Sequence, residues 1–335
     1  MVRLEPSPNK VFTTRNWWPG PLVRVILAGT PSLVLPIFDS VFHSGAEILS
    51  VITNPPKSRG RSGALSPSPV SVWARESGLC VYEESNLEGI RNLLPSADVA
   101  LVVAFGQLIP EDLLTLPKRG WVNIHFSHLP QARGAAPVQR LIEAGAEMIG
   151  YSVFQLDQGM DTGPIFFQSR EVPISGLTTG EVWEILIKEA ANEINVILSR
   201  ICEGEPPIPQ SEYVGRVALA PKISTEEAKI AWSQSSDRIV GKILAFNPRP
   251  SAWTSFRGER FLVHRAIRAE QKDEAALASR AALTLGEIVR VDAGVFVATG
   301  SGFIRLAEVQ PAGKRKMSCE EWLRGVTLGI GEKFE

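Results

Sequence analysis

Val23-Arg-Val-Ile-Leu-Ala-Gly29, followed by Thr30-Pro31, is the stretch on which the fold turns. A short, nearly continuous apolar run that ends in turn formers reads as a strand buried on both faces. An apolar pattern at helical spacing follows from about Ser32 to His43, and a second strand covers Glu47 to Thr53. Strand, helix, strand is the opening unit of a parallel sheet. Further strands are expected at about 97–104 and 121–125, with a helix over 135–144 after the second. Segments 148–156 and 165–172 have strand composition and flank the turn-rich Asp157-Gln-Gly-Met-Asp-Thr-Gly163. A long amphipathic helix over about 179–203 closes this first domain.

Glu205-Pro-Pro-Ile-Pro209 breaks the pattern, and the chain to about Lys222 has no clear period, so 205–222 reads as a linker. Beyond it come a helix near 235–246 and short strand candidates at 252–257, 260–268, 284–291, 294–299 and 302–309. That density of short strands predicts a small β-barrel over 223–335. The expected organisation is an N-terminal extension (1–22), an α/β domain with a Rossmann-like parallel sheet (23–204), the linker, and the barrel. A length of 335 residues fits two domains, and 44% hydrophobic with 21% charged residues is ordinary globular composition. Residues 1–22 contain Pro6, Pro8, Pro19 and Pro21 and no apolar signal core, and no run is long enough to span a bilayer. Cys80, Cys202 and Cys319 are far apart and form no CxxC pair, which argues against a disulfide framework or a zinc site and fits a reducing cytoplasm.

Open parallel sheets bind ligands beyond the carboxyl ends of their strands. Three polar loops fall there: Gly29-Thr30-Pro31, the Asn123–Gly134 segment, and the turn around Asp161. Asn123 and His125 alternate on one strand, so their side chains point the same way. Asp161 lies between Gly159 and Gly163, as a tight turn presenting a carboxylate would require. This trio suits transfer of a one-carbon acyl group between nitrogens. Asn123 and a protonated His125 could both donate to the oxygen of a tetrahedral intermediate, and removing one such donor typically costs roughly 10²–10³ in rate. Asp161 beside His125 is expected to favour the imidazolium and to help relay protons through water. No metal is required. Alone, an Asn-x-His pair and a later aspartate are weak signals, more often a capped turn and a turn-forming residue.

The words around them are specific. Asn123-Ile-His125-Phe-Ser-His-Leu-Pro130 with Arg133-Gly-Ala-Ala-Pro-Val-Gln139 resembles the signature of 10-formyltetrahydrofolate-dependent formyltransferases. Asp157-Gln-Gly-Met-Asp161-Thr-Gly163 resembles that family's second signature, and the spacing of 36 from His125 to Asp161 agrees with the branch acting on methionyl-tRNA. Arg133-Gly-Ala-Ala-Pro137 is typical of that branch, and Val25-Ile-Leu-Ala-Gly-Thr-Pro31 is similar to its opening strand. Lys222-Ile-Ser-Thr-Glu-Glu-Ala-Lys-Ile-Ala-Trp232, Phe246-Asn-Pro-Arg-Pro-Ser-Ala-Trp253 and Gln310-Pro-Ala-Gly-Lys-Arg-Lys-Met317 resemble its C-terminal domain. The resemblance implies a Rossmann-like catalytic domain, a C-terminal OB-like barrel, and Asn123, His125 and Asp161 in catalysis. It also implies 10-formyltetrahydrofolate as formyl donor and initiator methionyl-tRNA as acceptor; a cytoplasmic location, no membrane partner and a monomer are expected beside it. Ser127, His128, Leu129 and Pro130 fall where the family contacts folate, and Phe105, Gly106, Gln107 and Leu108 would line the pterin pocket through backbone groups.

For tRNA, the resemblance points to the loop after Asn54, with Lys57, Arg59 and especially Arg61. In the second domain Lys242, Arg249, Lys314, Arg315 and Lys316 are candidates, although residues 223–335 hold 17 Lys+Arg against 14 Asp+Glu. A single-stranded acceptor end needs only a modest positive funnel. There are departures. His128 stands where the family has leucine, and Gln131 and Ala132 stand where a basic and an aromatic residue are usual. Two other classes fit part of the pattern: a relative that formylates a small molecule or hydrolyses the folate, and an inactive folate- or RNA-binding protein.

Overall fold

The structure is a computed structural model and describes residues 22–58, 63–213, 217–278, 283–291 and 294–335. Arg59 and Arg61 lie outside the described residues. The chain packs as two compact units: one of residues up to Val122 with Lys188–Pro206, the other of Asn123–Ile187 with Pro207–Glu335.

In the first unit, β1 (Arg24–Gly29), α1 (Leu35–His43), β2 (Glu47–Thr53), the short hairpin strands β3 (Lys57–Ser58) and β4 (Leu65–Ser66), α2 (Pro69–Glu76), β5 (Val81–Glu83), β6 (Val99–Val103) and α3 (Glu111–Leu114) follow one another. Strands β5, β2, β1 and β6 pair side by side, all parallel. Val25–Ala28 and Val99–Val103 are buried throughout, which is why the sequence shows continuous apolar runs rather than alternation. Ser68 caps α2 by accepting from the Ser71 amide (3.0 Å), with Pro69 at the first helical position, a start that fixed φ favours.

Strand β7 (Trp121–His125) carries the chain into the second unit. There α4 (Pro137–Glu143), β8 (Met148–Ile149), β9 (Ser152–Gln155), β10 (Ile165–Gln168) and β11 (Val172–Pro173) precede α5 (Thr179–Glu203), whose first residues belong to this unit. The expected strand 148–156 is two strands, with Tyr151 buried between them. Strands β9 and β10 form an antiparallel hairpin that presents loop 156–164. Thr178 and Glu181 make a capping box at the start of α5: the carboxylate accepts from the Thr178 amide and hydroxyl, both at 2.8 Å.

The remainder of the unit is α6 (Ser236–Phe246), β12 (Ala252–Phe256), β13 (Glu259–Arg268), α7 (Gln271–Ala278), β14 (Ile288–Val291), β15 (Gly294–Ala298), β16 (Phe303–Pro311), β17 (Met317–Ser318) and α8 (Cys319–Arg324). The strands form an antiparallel sheet in the order β12-β13-β16-β15-β14, with β17 added beside β16. Arg257 and Gly258, both at positive φ, make the two-residue turn between β12 and β13 that a right-twisted hairpin favours. The chain's last residues join the two ends of this sheet path. Glu335 exchanges backbone bonds with Ser255 of β12, while Glu332 accepts from Ile288 of β14 (2.8 Å). Phe334, buried among these bonds, stacks on Trp232 at 5.5 Å and meets Phe256, Phe261 and Trp322. No helix among the described residues is long and apolar enough to cross a membrane.

Candidate active site

His125 sits at the end of β7, 5% exposed, with its ring edge-on to Phe154. Its Nε2–H donates to the Ala132 carbonyl at 2.9 Å, because a carbonyl can only accept. In a neutral ring that bond leaves the lone pair on Nδ1. Nδ1 faces Asp161, whose Oδ2 is 3.6 Å away, too far for a direct hydrogen bond. Burial pulls the His125 pKa below its ordinary value, and the Asp161 charge and the Ala132 bond offset that pull only in part. The imidazolium expected from sequence is therefore corrected. Desolvation of a ring inside the core outweighs one partly exposed carboxylate, and the neutral ring is the resting form.

Asp161 adopts φ 54°, a left-handed conformation that few non-glycine residues hold. Its loop is organised from within by Asp157, whose Oδ1 accepts from the Gly159 amide (3.0 Å) and the Thr162 hydroxyl (2.7 Å). Gly163 closes it; a Cβ there would lie 1.8 Å from the Gln155 carbonyl. The carboxylate is aimed by the Gly134 amide, which donates to Oδ2 at 2.7 Å. Gly134 itself has φ 126°, and a Cβ on it would lie 2.6 Å from the Ala220 carbonyl. Two residues before His125, Asn123 is half-buried on the same side of β7, and its carboxamide makes no hydrogen bond among the described residues. One open donor, one open lone pair and one carboxylate thus come from β7 and the β9–β10 loop.

The four residues expected at the folate follow directly on β7. The Ser127 hydroxyl donates to the Gln131 carbonyl (2.6 Å), and Leu129 packs with Phe154 and Ile165. Leu129 donates its amide to Ser152 Oγ (2.9 Å) and accepts from Gln168 Nε2 (2.7 Å); Pro130 is buried. His128 turns over Gly150, donates to the Ser169 carbonyl (2.8 Å) and lies 3.6 Å from Glu171. Phe105, Gly106, Gln107 and Leu108 belong to the first unit. There Thr30 and Asn54 donate to the Phe105 carbonyl, Gly106 has φ 75°, and Leu108 is exposed. Gln107 Nε2 donates to Asn54 Oδ1 and the Glu84 carbonyl, while its buried Oε1 has no partner among the described residues. Asn54 was not singled out by sequence reasoning, although it opens the basic loop that was.

Lys57 is exposed on β3. In the second unit Lys242 donates to the Glu227 carbonyl at 2.8 Å, Arg315 pairs with Glu321, and Lys316 pairs with Glu308 at 2.6 Å. Arg249 and Lys314 are exposed and make no ion pair among the described residues. The segment read as a linker is woven into the site. Ile208 exchanges backbone bonds with Ile165, and Ala218 and Ala220 bond to the backbone of Arg133 and Ala136. Gln210 reaches both Arg133 and the Asp161 turn.

Residues 23–196 match the formyl transferase family model, and residues 222–327 match the model described as formyl transferase, C-terminal domain. The chain belongs to the formyl transferase family. A methionyl-tRNA formyltransferase from Salinispora arenicola is 37% identical over 316 residues, covering 92% of this chain and 99% of that protein. One from Paenarthrobacter aurescens is 38% identical over 321 residues, covering 93% and 100%. Among solved structures, an N-formyltransferase from Helicobacter canadensis, in complex with folinic acid and dTDP-3-aminofucose, has a TM-score of 0.62 at 14% identity. That match covers 87% of this chain and 100% of the other, and it speaks for the fold alone.

Proposed function

We propose that this protein transfers the formyl group of 10-formyltetrahydrofolate to the α-amino group of methionine on initiator methionyl-tRNA. Identity with proteins named for that reaction, over nearly their whole length, supports the choice of acceptor. The facing of His125 Nδ1 and Asp161 Oδ2, beside an Asn123 carboxamide with no hydrogen bond among the described residues, carries the chemistry. The amine nitrogen attacks the formyl carbon, and the carbonyl oxygen becomes an oxyanion to which the Asn123 carboxamide donates. Neutral His125 accepts the amine proton at Nδ1, with Nε2–H held on the Ala132 carbonyl. Asp161 stabilises the imidazolium while it lasts. The proton then passes to N10 of the folate as the C–N bond breaks, and formyl-methionyl-tRNA and tetrahydrofolate leave.

In this reading residues 23–204 are the catalytic domain, 205–222 the connection and 223–335 the tRNA-binding domain. The backbone of 127–130 and of 105–108 would contact the folate. Lys57, Arg59 and Arg61 would meet the acceptor stem, and of the second-domain candidates Arg249 and Lys314, with no ion pair among the described residues, would take phosphates. Arg315, Lys316 and Lys242 would first exchange a protein partner for one. The three reacting side chains come from one chain, and we read the protein as a cytoplasmic monomer. An acceptor panel tests the assignment: methionyl initiator tRNA, glycinamide ribonucleotide and a nucleotide-linked amino sugar, each offered with 10-formyltetrahydrofolate. Formylation of the tRNA alone is expected. Formylation of either small acceptor, or hydrolysis of the folate without transfer, would displace this reading.

A further inference from the structure

Asp161 holds a left-handed backbone angle in a loop organised from within by Asp157, and one further side chain grips that turn from outside it. The side chain that does so comes from residues 197–221, the stretch between the two family matches. Gln210 is 7% exposed. Its Oε1 accepts from Arg133 Nε at 3.1 Å and Nη2 at 2.6 Å. A guanidinium has only donors, so this pair fixes which end of the carboxamide is oxygen. Nε2 is thereby turned to the other side, where it donates to the Asp161 and Gly163 carbonyls, both at 2.8 Å. One side chain ties the Asp161 turn to Arg133. The residue after Arg133 is Gly134, whose amide holds the Asp161 carboxylate. The same segment clasps this loop again at Ala218 and Ala220, with backbone bonds of 3.0 Å or less to Arg133 and Ala136.

We propose that Gln210 is a positioning residue for formyl transfer: it locks the Asp161 turn so that the carboxylate stays opposite His125 Nδ1. The inference rests on the function proposed above. It also makes the interdomain connection a working part of the site, since shortening or shifting it would move Gln210.

Gln210→Glu is the sharpest test. It is isosteric and keeps an acceptor for Arg133, but it sets an oxygen against two carbonyls. Gln210→Ala and Arg133→Lys accompany it; the latter leaves Gln210 in place and removes the double donor that orients it. Each is assayed for folding by thermal melt, for kcat and KM in transfer to methionyl initiator tRNA, and for the His125 titration midpoint by histidine-labelled NMR. Both Gln210 variants are expected to lower kcat roughly 10- to 100-fold, the scale of a 1 Å misplacement. KM for 10-formyltetrahydrofolate should stay within about threefold, because no folate contact is removed. The His125 midpoint should move further down as the carboxylate swings away. Should both Gln210 variants fail to fold, Arg133→Lys carries the test, with a smaller kcat loss and the same direction of midpoint shift. A folded variant with kcat within twofold of wild type and an unmoved His125 midpoint would overturn the proposal. If wild type transfers nothing to the tRNA, the function is wrong, and the His125 midpoint still decides whether Gln210 positions Asp161.

Discussion

Replacing Asp161 by Asn isolates the charge of the site from its shape. The carboxamide oxygen can still accept from the Gly134 amide, which now lies 2.7 Å from Oδ2, so the turn need not move. What disappears is a negative charge 3.6 Å from the nitrogen that becomes positive during proton transfer. Asp161 and His125 side chains are only 16% and 6% exposed, so solvent screens them weakly. Taking an effective dielectric of about 20, the attraction between unit charges at that distance is about 4.6 kcal/mol. Every 1.36 kcal/mol is tenfold in rate, so kcat should fall by about 10³. In the proposed mechanism the charge acts on His125 and not on the folate, so KM for 10-formyltetrahydrofolate should change less than about threefold. Steady-state transfer to methionyl initiator tRNA, resolved on acid gels, measures both constants. A kcat within tenfold of wild type would refute the idea that Asp161 stabilises a cationic His125.

The resting state of His125 can be read directly. Histidine NMR should report a neutral ring protonated at Nε2 at pH 7, titrating below the ordinary histidine range of about 6.5, and lower still in Asp161→Asn. An Nδ1–H tautomer would contradict the geometry. Gly134→Ala sets a Cβ against the Ala220 carbonyl at a φ that side chains avoid, and should destabilise the fold by about 1–3 kcal/mol while lowering kcat; denaturant melts and turnover check both. Glu181 gives the pH dependence. Burial alone would raise its pKa, but bonds from Thr178 and Arg265 outweigh burial and hold the carboxyl at about 2. A depressed carboxyl stabilises the fold above its unfolded pKa, and that contribution fades as pH drops from about 4.5 toward 2. Glu181→Gln should therefore melt below wild type at pH 7 and approach it at pH 3.

Strands and helices with a strong local period were legible from sequence. Glu47–Thr53, Trp121–His125 and Thr179–Glu203 have the expected limits, because apolar spacing within each segment decides its state. Gln271–Ala278 was passed over, since Gln-Lys-Asp-Glu opens it and Leu277 is its one buried apolar side chain among the described residues. Residues 205–222 read as a linker because prolines erase periodicity. Within them Ile208, Ala218 and Ala220 make backbone bonds to Ile165, Arg133 and Ala136, partners far away in the chain that leave no trace in local pattern. The candidate trio was legible as a motif, and the facing of His125 and Asp161 follows it. The charge state of His125 was not, because burial sums over neighbours that only folding brings together. Nor was the seat of the His128 ring, which bonds the Ser169 carbonyl and lies over Gly150, partners that only folding brings near.

The most direct measurement is the initial rate of formyl transfer from 10-formyltetrahydrofolate to methionine on purified initiator tRNA, with methionyl elongator tRNA run beside it. The proposed function requires rapid formylation of the initiator and little or none of the elongator, and an initiator rate about 10³-fold lower with Asp161→Asn. No formyl-methionine on the initiator, or undiminished transfer by the variant, would contradict it.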